Sequence, residues 1–314
     1  MAAVAAVVVV ADMPPKTPGV DRVGIGWRGE LAAGIFANLD RIDLLEIIAD
    51  DYYRATTREL RSLRTLAMQV PITLHGVAMG LAGSEPAGTK RMENMARLVD
   101  TLQPESWSEH LAFVRGGGIE IGHLAAPPRT RQNVDASIDN IERAARIVGC
   151  APLMENIATL IDPPSSTLDE ASWVSNILDS SGAGLLLDLH NLYANARNFG
   201  IDPSVLLMRF PLHRVRAVHL SGGKWIPEPA IEGSDQAPCM RLLDDHVHDV
   251  PAEVFELLAL LAQHAPQQLD VIVERDGEYP DFSFLVAQLD AARRALQTGR
   301  RNGQLDCETL RVAA

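Results

Sequence analysis

GLLLDLHN, residues 184–191, is the stretch on which the fold turns. Three leucines in a row leave no polar face, and Asp188, His190 and Asn191 follow at once. A strand apolar on both sides needs cover on both sides, as in a parallel sheet whose crossover helices lie against it. The same composition recurs outward from this point. Short β-branched or leucine-rich runs occupy 23–27, 43–49, 72–77, 106–113, 151–156, 215–220 and 270–276, which makes eight with 184–191. Helical patterns separate them. In 134–147, Ile138, Ile141, Ala145 and Ile147 are spaced for one apolar face. The segment 168–178 behaves alike, and 251–263 opens with Pro251 at a first-turn position and Glu253 close behind.

Eight strands alternating with helices build either a closed barrel or an open doubly wound sheet. No G-x-G-x-x-G turn follows the first run, because Gly24, Gly26 and Gly29 lie within and just after it. Polar residues gather at the C-terminal ends of nearly all the runs, where a barrel assembles its active site. An open sheet would concentrate them at one switch point. The reading is a single α/β domain, a (β/α)₈ TIM barrel over 21–298. It has an N-terminal extension at 1–20, poorly ordered or packed at an edge, and a C-terminal tail at 299–314.

Composition narrows the function. The chain has 314 residues, 47% of them apolar, and a formal net charge of −13. That charge argues against a broad grip on nucleic acid, so no nucleic acid partner is expected. Cys150, Cys239 and Cys307 form no C-x-x-C pair. A disulfide framework, a zinc ribbon or an iron–sulfur site is therefore not expected, and a reducing cytoplasm is. The apolar run 2–10 has no preceding Lys or Arg and falls far short of the roughly 20 residues that span a bilayer. No membrane association is expected. Any metal must be held by imidazole and carboxylate.

Those groups are abundant at the strand ends. The second run carries Glu46, Asp50 and Asp51; the third, His75; the fourth, Glu109 and His110; the fifth, Glu155 and Asn156. Asp188, His190 and Asn191 end the sixth and His219 the seventh; Asp244, Asp245, His246 and His248 lie in a loop, and Glu274 and Asp276 close the eighth. One histidine at a strand end is more often a hydrogen-bonding or solvent-facing residue than a ligand, but the joint set exceeds what one mononuclear site needs. Carboxylates can bridge cations, so the surplus points to two or three ions, with Glu155 and Glu274 as bridges. Arg275 beside Glu274 should face away from it. Strand alternation would send His190 and Asn191 to opposite faces, so which of them enters the site stays open.

The ordered motifs are HGV at 75–77, SEHL at 108–111, EN at 155–156, LLLDLHN at 185–191, VHLSG at 218–222, DDHVHDVP at 244–251 and VIVERD at 271–276. Together, across about 23–296, they resemble the multinuclear non-heme iron-dependent oxidative enzymes, known as domain of unknown function 692 and typified by the methanobactin-biosynthesis iron oxidase. That group lies in the xylose-isomerase-like TIM barrel superfamily. The pattern is also similar to that of the superfamily's apurinic endonucleases. The resemblance implies the metal ligands His75, His110, Glu155, Asp188, His219, Asp244, His246 and Glu274. Asn191 joins that set, standing where the endonucleases have histidine. Asp244, Glu109 and Asn156 are candidates for catalysis, Glu109 as the acceptor that orients His110. Two positions depart from the pattern: Ile48 stands where many relatives have histidine, and Asp50-Asp51 replaces a usual Glu-Asn.

The implied activity is O₂-dependent oxidation of cysteine in a ribosomally synthesised precursor peptide, that is, RiPP biosynthesis. The implied cofactor is two or three irons in mixed Fe(II)/Fe(III) states, with zinc or manganese as the alternative. A small leader-peptide-recognition protein is the implied partner. Three other readings compete: a metal-dependent phosphodiesterase, a sugar isomerase and a non-catalytic barrel subunit. The first lacks a visible Lys/Arg stripe, and the second lacks a lysine near the fifth or sixth strand end. The third leaves the gathered ligand types without a purpose.

Overall fold

A computed structural model describes residues 19–228 and 240–313. The elements run in chain order as β1 (Arg22–Gly26), α1 (Ala32–Ala37), β2 (Leu45–Ile48), α2 (Thr57–Ala67), β3 (Ile72–Gly76), α3 (Thr89–Leu102) and β4 (Trp107–His110). There follow β5 (Phe113–Gly116), β6 (Ile119–Ala125), α4 (Arg131–Val148), β7 (Leu153–Glu155), α5 (Glu170–Ser181), β8 (Gly184–Asp188), α6 (Leu189–Phe199) and α7 (Pro203–Leu207). The chain closes with β9 (Val215–Leu220), β10 (Gly223–Pro227), β11 (Met240–Asp244), α8 (Ala252–His264), β12 (Asp270–Val273) and α9 (Phe282–Ala313).

Eight strands form a closed parallel barrel in the order β1-β12-β9-β8-β7-β4-β3-β2. The expected (β/α)₈ barrel is what the chain builds. Each of the eight apolar runs supplies one barrel strand, shorter than the run at one or both ends in all but β9. The run 106–113 is divided: β4 stops at His110, and Phe113 starts the antiparallel hairpin β5–β6. A second hairpin, β10–β11, follows β9. Neither hairpin belongs to the barrel.

The helices start where the sequence supplies caps. Thr56 and Glu59 form a reciprocal capping box on α2, and Thr130 and Asp169 accept the Asn133 and Ser172 amides of α4 and α5. Pro251, expected in the first turn, stands one residue before α8; it gives no side-chain cap, and its carbonyl accepts the Val254 amide. Helix α9 runs without a break to Ala313, through the segment read from sequence as a tail. The expected extension lies almost wholly outside the described residues. Among those residues no helix is long and apolar enough to cross a membrane.

Barrel closure is tight between β1 and the start of β2. A Cβ on Gly24 would stand 2.0 Å from the Leu44 carbonyl oxygen, and a backbone atom cannot step aside. Gly24→Ala should therefore lower stability by about 2–3 kcal/mol, read as an earlier urea midpoint. An unchanged midpoint would show that β1 and the chain entering β2 are not this close.

Candidate metal centre

The mouth of the barrel is built from rungs of inward-facing side chains. Strands β2 and β3 pair Glu46 with Thr73 and Ile48 with His75. Strand β4 brings Ser108 level with His75, and β7 brings Glu155 level with His110. His219 on β9 lies beside Asp188 on β8. Because successive residues of a strand alternate faces, Ser108 and His110 share the inner side, as do Glu46 and Ile48. Glu46 thus sits one rung deeper than His75.

Glu155 is the hub. Its Oε2 lies 3.4 Å from His75 Nε2 and 3.3 Å from His110 Nε2, and its Oε1 lies 3.2 Å from His219 Nδ1. Glu274, just past β12, approaches the same His219 Nδ1 to 3.0 Å. Asp188 joins Glu155, His219 and Glu274 in a four-residue set whose nearest ligand atoms are all within 4.8 Å. Two further sets satisfy the same limit, His75 with His110 and Glu155, and Glu46 with His75 and His219. All three sets are buried and share members.

Asp244, at the end of β11, faces His190 Nδ1 and His246 Nε2 at 2.8 Å each, and accepts from the Ser221 hydroxyl at 3.1 Å. His246 has φ 54°, and this left-handed turn sets its Nδ1 3.1 Å from Asp276 and 3.6 Å from Glu274. Asp276 is held in turn by Arg28. His248 stands apart, half-exposed and paired with Asp245.

Residues 188–191 do not continue as a strand. Helix α6 begins at Leu189, with Asp188 as its N-cap accepting the Asn191 amide at 2.7 Å. Alternation therefore does not separate His190 from Asn191; both are buried. Asn191 donates to the Asn156 carbonyl, and the Asn156 side chain holds both the amide and the carbonyl of Asp188. Asn156 thus clamps β7 to β8 behind the carboxylates. Glu109 is fully buried, accepts from the Met79 and His110 amides and lies 3.7 Å from His110 Nδ1. Arg275 faces away, bound to Asp249 and to the Gly277 and Glu278 carbonyls. Asp50 accepts from the Val77 amide outside the three sets. Ile48 contributes no ligand atom, and Glu46 is the ligand type that β2 brings inward.

Close approach of the chain completes the rim. A Cβ on Gly223 would lie 2.6 Å from His190 Cε1 and 2.2 Å from the Leu243 carbonyl. Only glycine lets β10 pass between His190 and β11. Four supporting residues escaped the ligand set drawn from the sequence: Glu46, Ser108, Ser221 and Asp276. For Ser108 and Glu46 the signal was available, since each lies two residues before an inward strand-end position.

The donor set fits cations. Glu155 Oε2, Asp188 Oδ2, Asn191 Oδ1, His219 Nδ1, His246 Nε2 and Glu274 Oε2 are buried without a hydrogen bond of sound geometry. Buried polar atoms left this way are costly, and such a cluster at one place needs a partner. Without cations the cluster can offset its charge only with protons. Burial acts to lower His110, but Glu155 and Glu109 outweigh it and hold the imidazole up at about 9. Burial likewise opposes charge on His219 and His246, yet Glu274 and their other carboxylate neighbours hold both well above the ordinary range. Burial, with Asp244 and Glu155, pushes Asp188 well up. Burial would raise Glu274, but His219 and His246 hold it well down. Against the same tendency, His190 and His246 keep Asp244 at about 2.

The family model described as "RiPP precursor modification enzyme MbnB/TglH/ChrH" matches residues 22–297. A UPF0276 protein of Streptomyces avermitilis is 32% identical over 90% of this chain, which spans only 56% of that protein's length. A UPF0276 protein of Caulobacter vibrioides is 30% identical over 81% of this chain and 88% of its own. Among solved structures, L-ribulose 3-epimerase superposes with a TM-score of 0.58 at 15% identity, covering 91% of this chain and 98% of its own. A xylose isomerase domain containing protein from Salmonella typhimurium gives 0.57 at 13% identity, covering 90% and 99%. At these identities the superpositions speak to the xylose-isomerase-like barrel alone.

A pH dependence follows for metal-free protein. His110 is raised in the folded state from 6.5 to about 9. Its stabilising contribution is complete below the unfolded value and is lost as pH rises through the folded one. His219, His246 and Asp188, also raised, add to the loss in the same direction. The Tm of chelator-treated protein should fall between pH 6.5 and 9, and less steeply in His110→Gln. A Tm that rises over this window would contradict the charge balance described.

Proposed function

This chain belongs to the MbnB/TglH/ChrH family of RiPP precursor modification enzymes, and on that premise we propose that it is an iron-dependent oxidase of cysteine residues in a ribosomally made precursor peptide. The observation that carries the reading is the convergence of four imidazoles and five carboxylates in one barrel mouth, with Glu46, His75, His110, Glu155, Asp188, His219 and Glu274 buried and Asp244 and His246 partly exposed at its rim. That number of donors suits two or three ions sharing bridges better than one.

In this reading His75, His110 and Glu155 would hold one ion, and Glu155, Asp188, His219 and Glu274 another, with Glu155 common to both sets. Asp244 and His246 complete the rim. Iron, when bound, supplies the one-electron chemistry with O₂ that thiol oxidation requires. The rest is the work of side chains. Asn156 and Asn191 fix the β7 and β8 ends, so the carboxylates keep their spacing. His75 rests its Nδ1 against the Ser108 hydroxyl at 2.8 Å and presents Nε2 to the hub. The buried walls exclude water, while the Asp244 and His246 side chains, at 17% and 19% exposure, form the open side. A peptide thiol would enter there, beside the Asp244 carboxylate that two imidazoles share. No cysteine lies among the ligand sets to compete.

The substrate is proposed to be a cysteine-containing precursor peptide, delivered by a small separate protein that reads its leader, with the work done in the cytoplasm. Protein produced with iron under anaerobic conditions should contain two or three irons per chain, in line with the overlapping sets. Glu155→Ala should lose at least one of them. O₂ consumption should require a cysteine-containing peptide and stop when that cysteine is replaced by serine. Full iron in Glu155→Ala would remove the hub from the ligand set. Cleavage of a phosphodiester without O₂ uptake would replace the oxidase with a hydrolase.

A further inference from the structure

His219 has a carboxylate at each end, as His110 and His246 do, and is the most deeply buried of the three. Its ring is fully buried on β9. On one side Nδ1 faces Glu155 at 3.2 Å and Glu274 at 3.0 Å. On the other, Nε2 faces both oxygens of Glu46 at 3.0 Å. A neutral imidazole has one N–H and one lone pair, so it can ligate a cation at one end only while donating at the other. We infer that Glu46 is a positioning residue: it accepts the Nε2 proton of His219 and so commits Nδ1 to the cation shared by Glu155, Asp188 and Glu274.

Two observations favour this orientation over a cation held between Glu46 and Nε2. The Nδ1 side gathers three carboxylates, whereas the Nε2 side offers Glu46 and the neighbouring His75 ring alone. His75 is already committed elsewhere: its Nδ1 meets the Ser108 hydroxyl at 2.8 Å and its Nε2 points to Glu155 at 3.4 Å. With His75 turned to the hub, Glu46 and His219 have no third donor of their own. The arrangement also matches the general habit of metal-bound histidines, whose remote N–H goes to a carboxylate, carbonyl or water. Here the acceptor comes from β2, one rung beneath the ligands, where neither solvent nor substrate reaches it.

The inference rests on the metal reading above, and the experiment separates the two. The full-length protein is loaded with zinc, which is diamagnetic, after labelling its histidines with ¹⁵N. Zinc content tests the reading, and long-range ¹H–¹⁵N correlation reports the tautomer of each ring; His219→Gln identifies the relevant signals. The expected result is His219 protonated at Nε2 and metal-bound at Nδ1. Glu46→Gln keeps an acceptor oxygen and should retain both the tautomer and the zinc count. Glu46→Leu should weaken zinc binding about 10–100-fold and disturb the His219 signals. A proton on Nδ1, or loss of one zinc in Glu46→Gln, would overturn the inference and make Glu46 a ligand. Wild-type protein that takes up no zinc, iron or manganese would instead overturn the metal reading itself.

Discussion

A single carboxylate, Glu155, faces three imidazoles within 3.2–3.4 Å in a place that water does not reach. No arrangement of protons satisfies all the partners around it at once, because burial penalises every charge while the neighbours demand several. Cations would resolve the conflict. They would offset the carboxylates, use the imidazole lone pairs and leave the remote ring nitrogens to bond with Ser108, Glu46 and Asp276. The local geometry of the barrel mouth follows from keeping those groups together.

The fold achieves this with short elements and hard stops. Strand β7 contributes three residues and ends on Glu155 itself. Strand β8 ends on Asp188, which caps α6, so one carboxylate both starts a helix and faces the centre. Asn156 then ties the two strand ends together through the Asp188 backbone. The hairpin β10–β11 carries Asp244 to the rim, and Gly223 gives it the clearance to pass His190. Support passes outward in pairs, from His246 to Asp276 to Arg28 and from His75 to Ser108, so that rings buried at different depths are fixed before any ligand arrives.

The barrel was legible because eight apolar runs with polar endings have few other solutions, and each run became a strand. Boundaries were less so. The run 106–113 reads as one strand, yet the chain leaves the barrel after His110 and starts a hairpin at Phe113, a change that no breaker residue announces. The run 184–191 reads as extended through Asn191. Asp188 instead turns it into a helix, so strand alternation does not apply to His190 and Asn191. Of the site, the ligand types at strand ends were readable one by one. The pairing of acceptors with rings was less so: Glu46, named among the strand-end acids, lies a rung below the ligands and meets His219, and Asp276 serves through a loop residue, His246, in a left-handed turn that sequence spacing does not reveal.

Cations are proposed to sit among these buried groups, linked through Glu155. Diffraction from crystals of iron-loaded protein, collected on both sides of the iron absorption edge, tests this placement most directly. Two or three anomalous peaks are expected within coordination distance of the three sets, with one flanked by Glu155 and His219. Peaks confined to the protein surface, or a single peak bound by residues outside these sets, would contradict it.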